Sequence, residues 1–332
     1  MLSYDGIMKN KYFEGTSHII NLSIEIGKLL GIVDAAHLRK PTTKLRKANR
    51  IKSIQSSLWI EGNSLSEIQV SDIIDNKRVI GSEKDIREVK NAIEVYENLS
   101  EFKFDNLKSY LKAHRLLMKG LIDNPGKFRT KGVGVFKGEE VAHVAPPAWN
   151  VENLMQELCD YLKKSRDNLI IKSCVFHYEM EFIHPFMDGN GRMGRLWQTV
   201  ILMKENPVFE FLPIEHEIKI QQQNYYNALG KSDKEGVCTV FVEFMLEKIK
   251  TSLNELITGQ RNNLSDEERI KYFWSNFEGE EFARKDYLEL FKEISLATAT
   301  RDMKKGIELK LWEKIGDNRT TKYRMNPEHD NK

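Results

Sequence analysis

With 332 residues, 40% of them hydrophobic and 30% charged, the chain is long enough for two domains and apolar enough to bury a core in each. A formal net charge of +2 excludes a global pull toward nucleic acid or an anionic membrane, so any such attraction must be local. No stretch approaches the ~20 apolar residues that span a bilayer, and the N-terminal MLSYDGIMKNKYFEG lacks the apolar run of a signal peptide. Cys159, Cys174 and Cys238 are odd in number and widely spaced, which fits reduced core thiols and a cytoplasmic protein better than disulfides or a zinc site.

Apolar periodicity near 3.6 residues, with few Gly or Pro interruptions, predicts a mainly α fold. The expected helices cover 17–30, 44–61, 84–100, 105–119, 150–164, 168–183, 191–204, 215–230 and 236–258. Within 44–61, Ile51, Ile54, Leu58 and Glu61 fall within roughly an 80° arc of one helix face. Glu61 thus continues an apolar stripe, where a carboxylate is costly without a cationic partner, and Gly62 ends the helix at the C′ position. One segment breaks the helical pattern. Residues 132–147, GVGVFKGEEVAHVAPP, place β-branched side chains on both sides of a Lys137–Gly138–Glu139–Glu140 turn, and Pro146 and Pro147 terminate the resulting hairpin. Its arms are Val133 to Phe136 and Val141 to Val144.

The polar stretch TGQRNNLSDEER at 258–269 marks the expected domain boundary. Beyond it a helix ends near Phe291, Ser295 caps a second that stops at Gly306, and strand-like KLWEKI and TTKYRM flank a GDNR turn. This is the order of a winged-helix domain over 265–328. Residues 284–324 hold 11 Lys or Arg against 7 Asp or Glu; Arg301, Lys304 and Lys305 decorate the candidate recognition helix and Arg319, Lys322 and Arg324 the wing. DNA is a candidate partner of such a surface, and a protein contact is the alternative.

The chemistry concentrates at 184–195, HPFMDGNGRMGR. Eight specified positions in His-x-Phe-x-Asp-Gly-Asn-Gly-Arg-x-x-Arg would match by chance with a probability on the order of 10⁻⁸ in a chain of this length. Pro185 and the Gly-Asn-Gly turn separate two predicted helices, so the motif is a loop opening onto a helix N-terminus. Gly189 and Gly191 can take positive φ, which lets successive backbone N–H groups converge on one concavity, an anion site suited to phosphates. Arg192 and Arg195 lie three apart and are expected to face one ligand. Asp188 offers a hard oxygen to Mg²⁺ beside bound phosphates, and His184 titrates near neutrality and can take a proton from an attacking hydroxyl. A Walker A loop is excluded, because no Lys follows the second Gly. His177 and Glu181, four apart, lack a third ligand at sensible spacing and are expected to be structural.

Together with SSLWIEGN at 56–63, PGKFR at 125–129, HYEMEFIHPF at 177–186 and NYYNAL at 224–229, the motif resembles the Fic family, whose members move the AMP part of ATP onto a protein hydroxyl. The resemblance implies a Fic helical bundle with a β-hairpin flap, here 105–258 with the flap at 132–147. A helical region would precede it at 1–104, containing an inhibitory helix at 44–62. It implies His184 as base, Asp188 on Mg²⁺, Gly189, Asn190 and Gly191 on the phosphates of ATP, and Arg192 and Arg195 on the β- and γ-phosphates. Tyr225 and Tyr226 are implied near the adenine. Ser57, Glu61 and Gly62 match an inhibitory Ser/Thr-x-x-x-Glu-Gly/Asn pattern whose Glu pairs with Arg195 and displaces the γ-phosphate. A target protein would dock on the flap by strand pairing, and the reading leaves room for a homodimer. Relatives that transfer UMP, phosphate or phosphocholine, or that remove AMP, mark the range of reactions; the unaltered Gly-Asn-Gly-Arg favours AMP over phosphate transfer. The competing expectation is a winged-helix DNA-binding transcription regulator whose Fic domain senses nucleotide.

Overall fold

The computed structural model describes residues 12–35, 41–137, 140–261, 264–277, 279–291, 294–316 and 321–326. The chain divides into two units between Leu253 and Asn254. This division lies inside a helix and not in the expected polar stretch, of which 262–263 fall outside the described residues.

The first unit runs α1 (Ser17–Ala35), α2 (Thr43–Ile60), α3 (Glu67–Ile74), α4 (Glu83–Glu97), α5 (Leu107–Leu117), the hairpin β1 (Gly134–Lys137) and β2 (Glu140–Val144), then α6 (Val151–Lys164), α7 (Leu169–Ile183), α8 (Asn190–Glu205), α9 (Ile214–Ile220), α10 (Gln222–Glu235) and α11 (Thr239–Arg261). One hydrophobic cluster runs from Ile51 and Leu58 on α2 through Val95 on α4 and Phe176 on α7 to Trp197 and Ile201 on α8. The segments expected as separate 1–104 and 105–258 regions therefore share a core.

The central pair α7 and α8 is buried on nearly all sides, so neither shows a polar face. Gly194 sets how closely they approach: a Cβ there would stand 2.8 Å from Glu181 Oε1 and 2.8 Å from His177 Cδ2. α2 begins at Thr42, whose hydroxyl accepts from the Leu45 N–H, and ends in a Schellman arrangement. There the Asn63 N–H reaches Leu58 O at 3.1 Å, the Gly62 N–H reaches Trp59 O at 2.9 Å, and Gly62 takes φ +90°. This is the C′ role expected of Gly62, and it leaves Glu61 as the last side chain of the helix.

The expected helix 215–230 is two helices, broken at Gln221 (φ −116°, ψ 35°). α9 packs on α2, and the polar ties Lys219 Nζ to Gln55 Oε1 (2.7 Å) and Gln222 Nε2 to Ile60 O (3.4 Å) fix the break there. The hairpin pairs Gly134 with Val144 and Val135 with His143, then shifts register before Phe136–Val141 and Lys137–Glu140, a bulge in a two-stranded ribbon. Residues 138–139 of its expected turn lie outside the described residues.

The second unit contains α12 (Asp266–Asn276), β3 (Glu281–Phe282), α13 (Arg284–Leu290), α14 (Leu296–Glu308), β4 (Trp312–Ile315) and β5 (Lys322–Met325). Its antiparallel sheet has the order β3–β5–β4. Ser295 caps α14 as expected, accepting from the Thr298 N–H at 3.1 Å. The sequence reading lacked α12, which opens with a Ser265/Glu268 capping box, and β3. Residues 317–320, including the expected wing cation Arg319, and 327–328 at the end of the expected 265–328 domain lie outside the described residues.

Candidate active site

Helix α7 ends at His184, which caps it in the left-handed conformation (φ 49°, ψ 60°) and donates its N–H to Met180 O. Few side chains adopt this region, so the turn that presents the imidazole is specified by its surroundings and not by local preference. The ring Nδ1 lies 3.4 Å from Glu181 O. A carbonyl only accepts, so Nδ1 carries the proton and Nε2 is the basic nitrogen of the neutral ring.

The loop that follows is held by two side chains, Asn190 and His114. Asn190 clamps Phe186 at two points, its Oδ1 accepting from the Phe186 N–H and its Nδ2 donating to Phe186 O, each at 2.9 Å. His114 stacks flat on Phe186 with ring centroids 3.5 Å apart. His114 Nδ1 accepts from the Gly126 N–H at 2.8 Å, so its Nε2 carries the proton and donates to Asp188 O at 3.0 Å. Burial lowers the His114 pKa to about 4, which keeps this tautomer neutral at working pH.

At the mouth of α8 the N-cap is Gly189 (φ +87°), and among the described residues no side chain caps the first turn. The helix start therefore points bare N–H groups and a partial positive charge at the loop, an anion site. Gly191 departs from expectation. It sits inside α8 without positive φ; its missing side chain matters because a Cβ there would collide with Glu61 Oε1 and stand 3.1 Å from Arg195 Nη1.

The two arginines, expected to share one ligand, part company. Arg192, buried, donates through Nη1 to Glu88 Oε1 (3.0 Å) and through Nη2 to Asp188 Oδ1 (2.8 Å), while its Nε is buried without a partner among the described residues. Asp188 Oδ1 also accepts from the Gly189 N–H at 2.6 Å, yet the side chain is half exposed. Arg195 turns to α2 instead: Nε meets Ser57 Oγ at 3.1 Å, and Nη2 meets Ser57 O at 2.9 Å and Glu61 Oε1 at 2.7 Å. Burial works against its charge, but Glu61 together with Tyr225 and Glu181 outweighs this, and the Arg195 pKa is raised above its ordinary value. Behind the pair, burial pushes Glu181 up to about 8 despite the nearby Arg195, so it is largely neutral at pH 7.

His177 has the structural role its spacing suggested. Nδ1 donates to Gln198 Oε1 at 2.8 Å, Nε2 accepts from Tyr225 Oη at 3.0 Å, and burial lowers its pKa to about 3. Tyr225 is thereby a core side chain, 1% exposed. Of the two tyrosines expected near a nucleotide, Tyr226 (46% exposed) presents its ring to solvent.

Sequence reasoning missed Glu88, His114 and Arg129. Glu88 also accepts from Asn63 Nδ2 at 2.8 Å, and Arg129 donates to His184 O at 2.7 Å. Glu88 had a signal, since it shares an α4 face with Ala92 and Val95.

A left-handed imidazole-bearing helix end, a glycine N-cap and a helix start that carries two buried arginines define the site of a mainly helical protein. Residues 104–202 match the profile of the Fic/DOC family. A Fic family protein from Desulfovibrio desulfuricans superimposes with a TM-score of 0.72 and 37% identity, over 95% of this chain and 98% of that one. The chain belongs to the Fic family. A Fic domain containing signaling protein from Bacteroides thetaiotaomicron shares the fold at 21% identity, with a TM-score of 0.57 over 73% of this chain and 97% of that one. Among curated proteins, the protein adenylyltransferase Fic of Drosophila mojavensis is 27% identical over 65% of this chain and 44% of its own length. The protein adenylyltransferase fic-1 of Caenorhabditis briggsae is 28% identical over 70% of this chain and 49% of its own. The chain thus spans about half the length of these curated relatives.

Proposed function

We propose that this protein is a protein adenylyltransferase that moves AMP from ATP onto a Ser, Thr or Tyr hydroxyl of a target protein and of itself, with Glu61 as its brake. The observation that carries the reading is the Arg195–Glu61 pair: a buried cation beside an uncapped helix start, held at 2.7 Å by a carboxylate that a phosphate can replace. The triphosphate lies against the N–H groups of Gly189, Asn190 and Gly191, with Arg192 and Arg195 on its outer phosphates once Glu61 withdraws. His184 Nε2 takes the proton of the target hydroxyl, whose oxygen bonds to the α-phosphorus as the bond to the α–β bridging oxygen breaks and pyrophosphate leaves. General-base assistance of this kind contributes ~10²–10⁴ in rate.

No cluster of three or more potential ligands stands ready for a metal among the described residues. The half-exposed Asp188 carboxylate fits Mg²⁺, which binds through one or two carboxylates and fills its shell from phosphates and water. When bound there, Mg²⁺ neutralises phosphate charge. Tyr226 supplies an exposed ring for the base, and the hairpin offers a strand edge for the target segment. No helix among the described residues is long and apolar enough to cross a membrane.

The order of elements in the second unit supports a winged-helix fold. Several basic side chains proposed to meet DNA are already paired: Lys305 with Asp266 (3.0 Å), Lys322 with Glu281 (3.6 Å), and Arg324 with Glu281 (3.0 Å) and Glu313 (3.6 Å). We therefore favour a protein-contact role for this unit over a DNA regulator.

The test is self-labelling with α-labelled ATP and Mg²⁺. Glu61→Gly raises labelling at least tenfold over wild type, and adding His184→Ala removes it. Equal labelling in all three overturns the reading.

A further inference from the structure

We propose that Arg129 is a positioning residue that ties the β1–β2 hairpin to the His184 turn, so that a target strand laid on the hairpin arrives in register with the imidazole. The inference deepens the transfer reading and rests on it for the identity of the strand.

Arg129 is 3% exposed, and its hydrogen-bond partners are backbone carbonyls. Nε donates to His184 O (2.7 Å) and Nη2 to Ile183 O (3.2 Å), at the end of α7. Nη1 donates to Lys131 O (2.9 Å) and Nη2 also to Pro146 O (2.5 Å), the chain segments that enter and leave the hairpin. The Arg129 N–H adds a bond to Pro185 O at 2.9 Å.

The last carbonyls of a helix carry partial negative charge and lack intrahelical donors, so a cation at Ile183 and His184 is expected as a cap. Capping alone would not send the other side of the fork to the hairpin base. A guanidinium is planar, with its donors at fixed angles, so residues 131, 146, 183 and 184 keep one mutual geometry while all four bonds stand. The left-handed His184 backbone sits inside this clamp. A shift of the hairpin by an ångström would therefore pull on the carbonyl of the residue whose ring must meet the hydroxyl, and misplacement on that scale can cost ~10²-fold in rate.

Arg129→Lys keeps the charge and stem but cannot reach four carbonyls from one ammonium. In the full chain carrying Glu61→Gly, it is expected to lower kcat for AMP transfer at least tenfold while KM for ATP stays within twofold. Amide hydrogen exchange should rise at least tenfold in both 134–144 and 183–186, with α6 and α11 unchanged. Exchange that rises in one of these segments alone, in neither, or throughout the chain overturns the coupling, as does a KM for ATP that rises along with the loss of kcat. Should the Glu61→Gly parent transfer no AMP, the transfer reading fails, while the exchange pattern still decides whether Arg129 joins the two segments.

Discussion

Arg195 in the first unit and Arg269 in the second each meet a carboxylate below the surface, but the acids are held differently. Asp302 is 1% exposed and takes Arg269 with both oxygens, Nε to Oδ2 at 2.8 Å and Nη2 to Oδ1 at 3.1 Å. Tyr287 Oη adds a donor to Oδ2 at 3.0 Å, and Arg269 also reaches Leu264 O. Glu61 meets Arg195 through one oxygen at 2.7 Å, from the end of a helix, with 28% of its side chain exposed. The first arrangement saturates the acid and offers nothing to a competitor. The second leaves the arginine buried and the acid partly exposed at a helix end, so an ion pair that is a staple in one unit is, in the function proposed above, a plug in the other.

Breaking the staple should give the largest change in stability. Asp302→Ala leaves a buried guanidinium and tyrosine unmatched, and such losses cost ~3–5 kcal/mol. Urea unfolding measures this, and neither phosphate nor ATP should restore it.

Glu61→Gly should cost less, about 1–3 kcal/mol, because its acid is partly solvated. Gly191→Ala sharpens the point. In wild type the added methyl meets Glu61 Oε1, and overpacking of this kind costs about 1–3 kcal/mol. In the Glu61→Gly background only the flexible end of Arg195, 3.1 Å away, still meets the methyl, so the same change should cost clearly less, as Ala replaces Gly within a helix. Equal costs in both backgrounds would mean that Glu61 does not occupy the space above Gly191.

A further effect, graded with pH, comes from buried groups around the site. His177 and His114 have folded pKa values near 3 and 4, below the ordinary 6.5, so between about pH 6.5 and 4 the unfolded chain binds protons that the folded one refuses. Stability should fall with acid across this window, by up to ~1.4 kcal/mol per pH unit for each histidine. Glu181, raised to about 8, has the opposite sign between about pH 4.5 and 8 and offsets part of the slope. Replacing His177 by Gln should flatten the acid limb in a series of thermal melts.

That Glu61 needs a cation was legible because it extends the Ile54–Leu58 stripe and Gly62 fixes the helix end beneath it, whereas Arg195 as that cation followed only from the family resemblance. The same argument applied to 83–97 would have found Glu88, which lies in line with Ala92 and Val95 and proves to hold Arg192. Gly191 was picked out for the wrong reason, since spacing reveals a glycine but not whether φ or a neighbouring carboxylate requires it. The capping boxes at Ser66/Gln69 and Ser265/Glu268 were readable signals for α3 and α12. The break at Gln221 was not, because it is set by ties to α2 some 160 residues away. Arg129 was equally hidden, as its side chain bonds backbone carbonyls as far as 55 positions along the chain, and backbone groups leave no mark in side-chain patterns.

The central claim is that Arg195 exchanges a carboxylate for a phosphate. The most direct measurement is the rise in Tm on adding ATP and Mg²⁺ to wild type and to Glu61→Gly. Removing the competing acid should lower the Tm of the unliganded variant and enlarge its nucleotide-induced rise beyond that of wild type, since binding to the folded state alone stabilises by mass action. Equal rises in the two proteins would contradict the account.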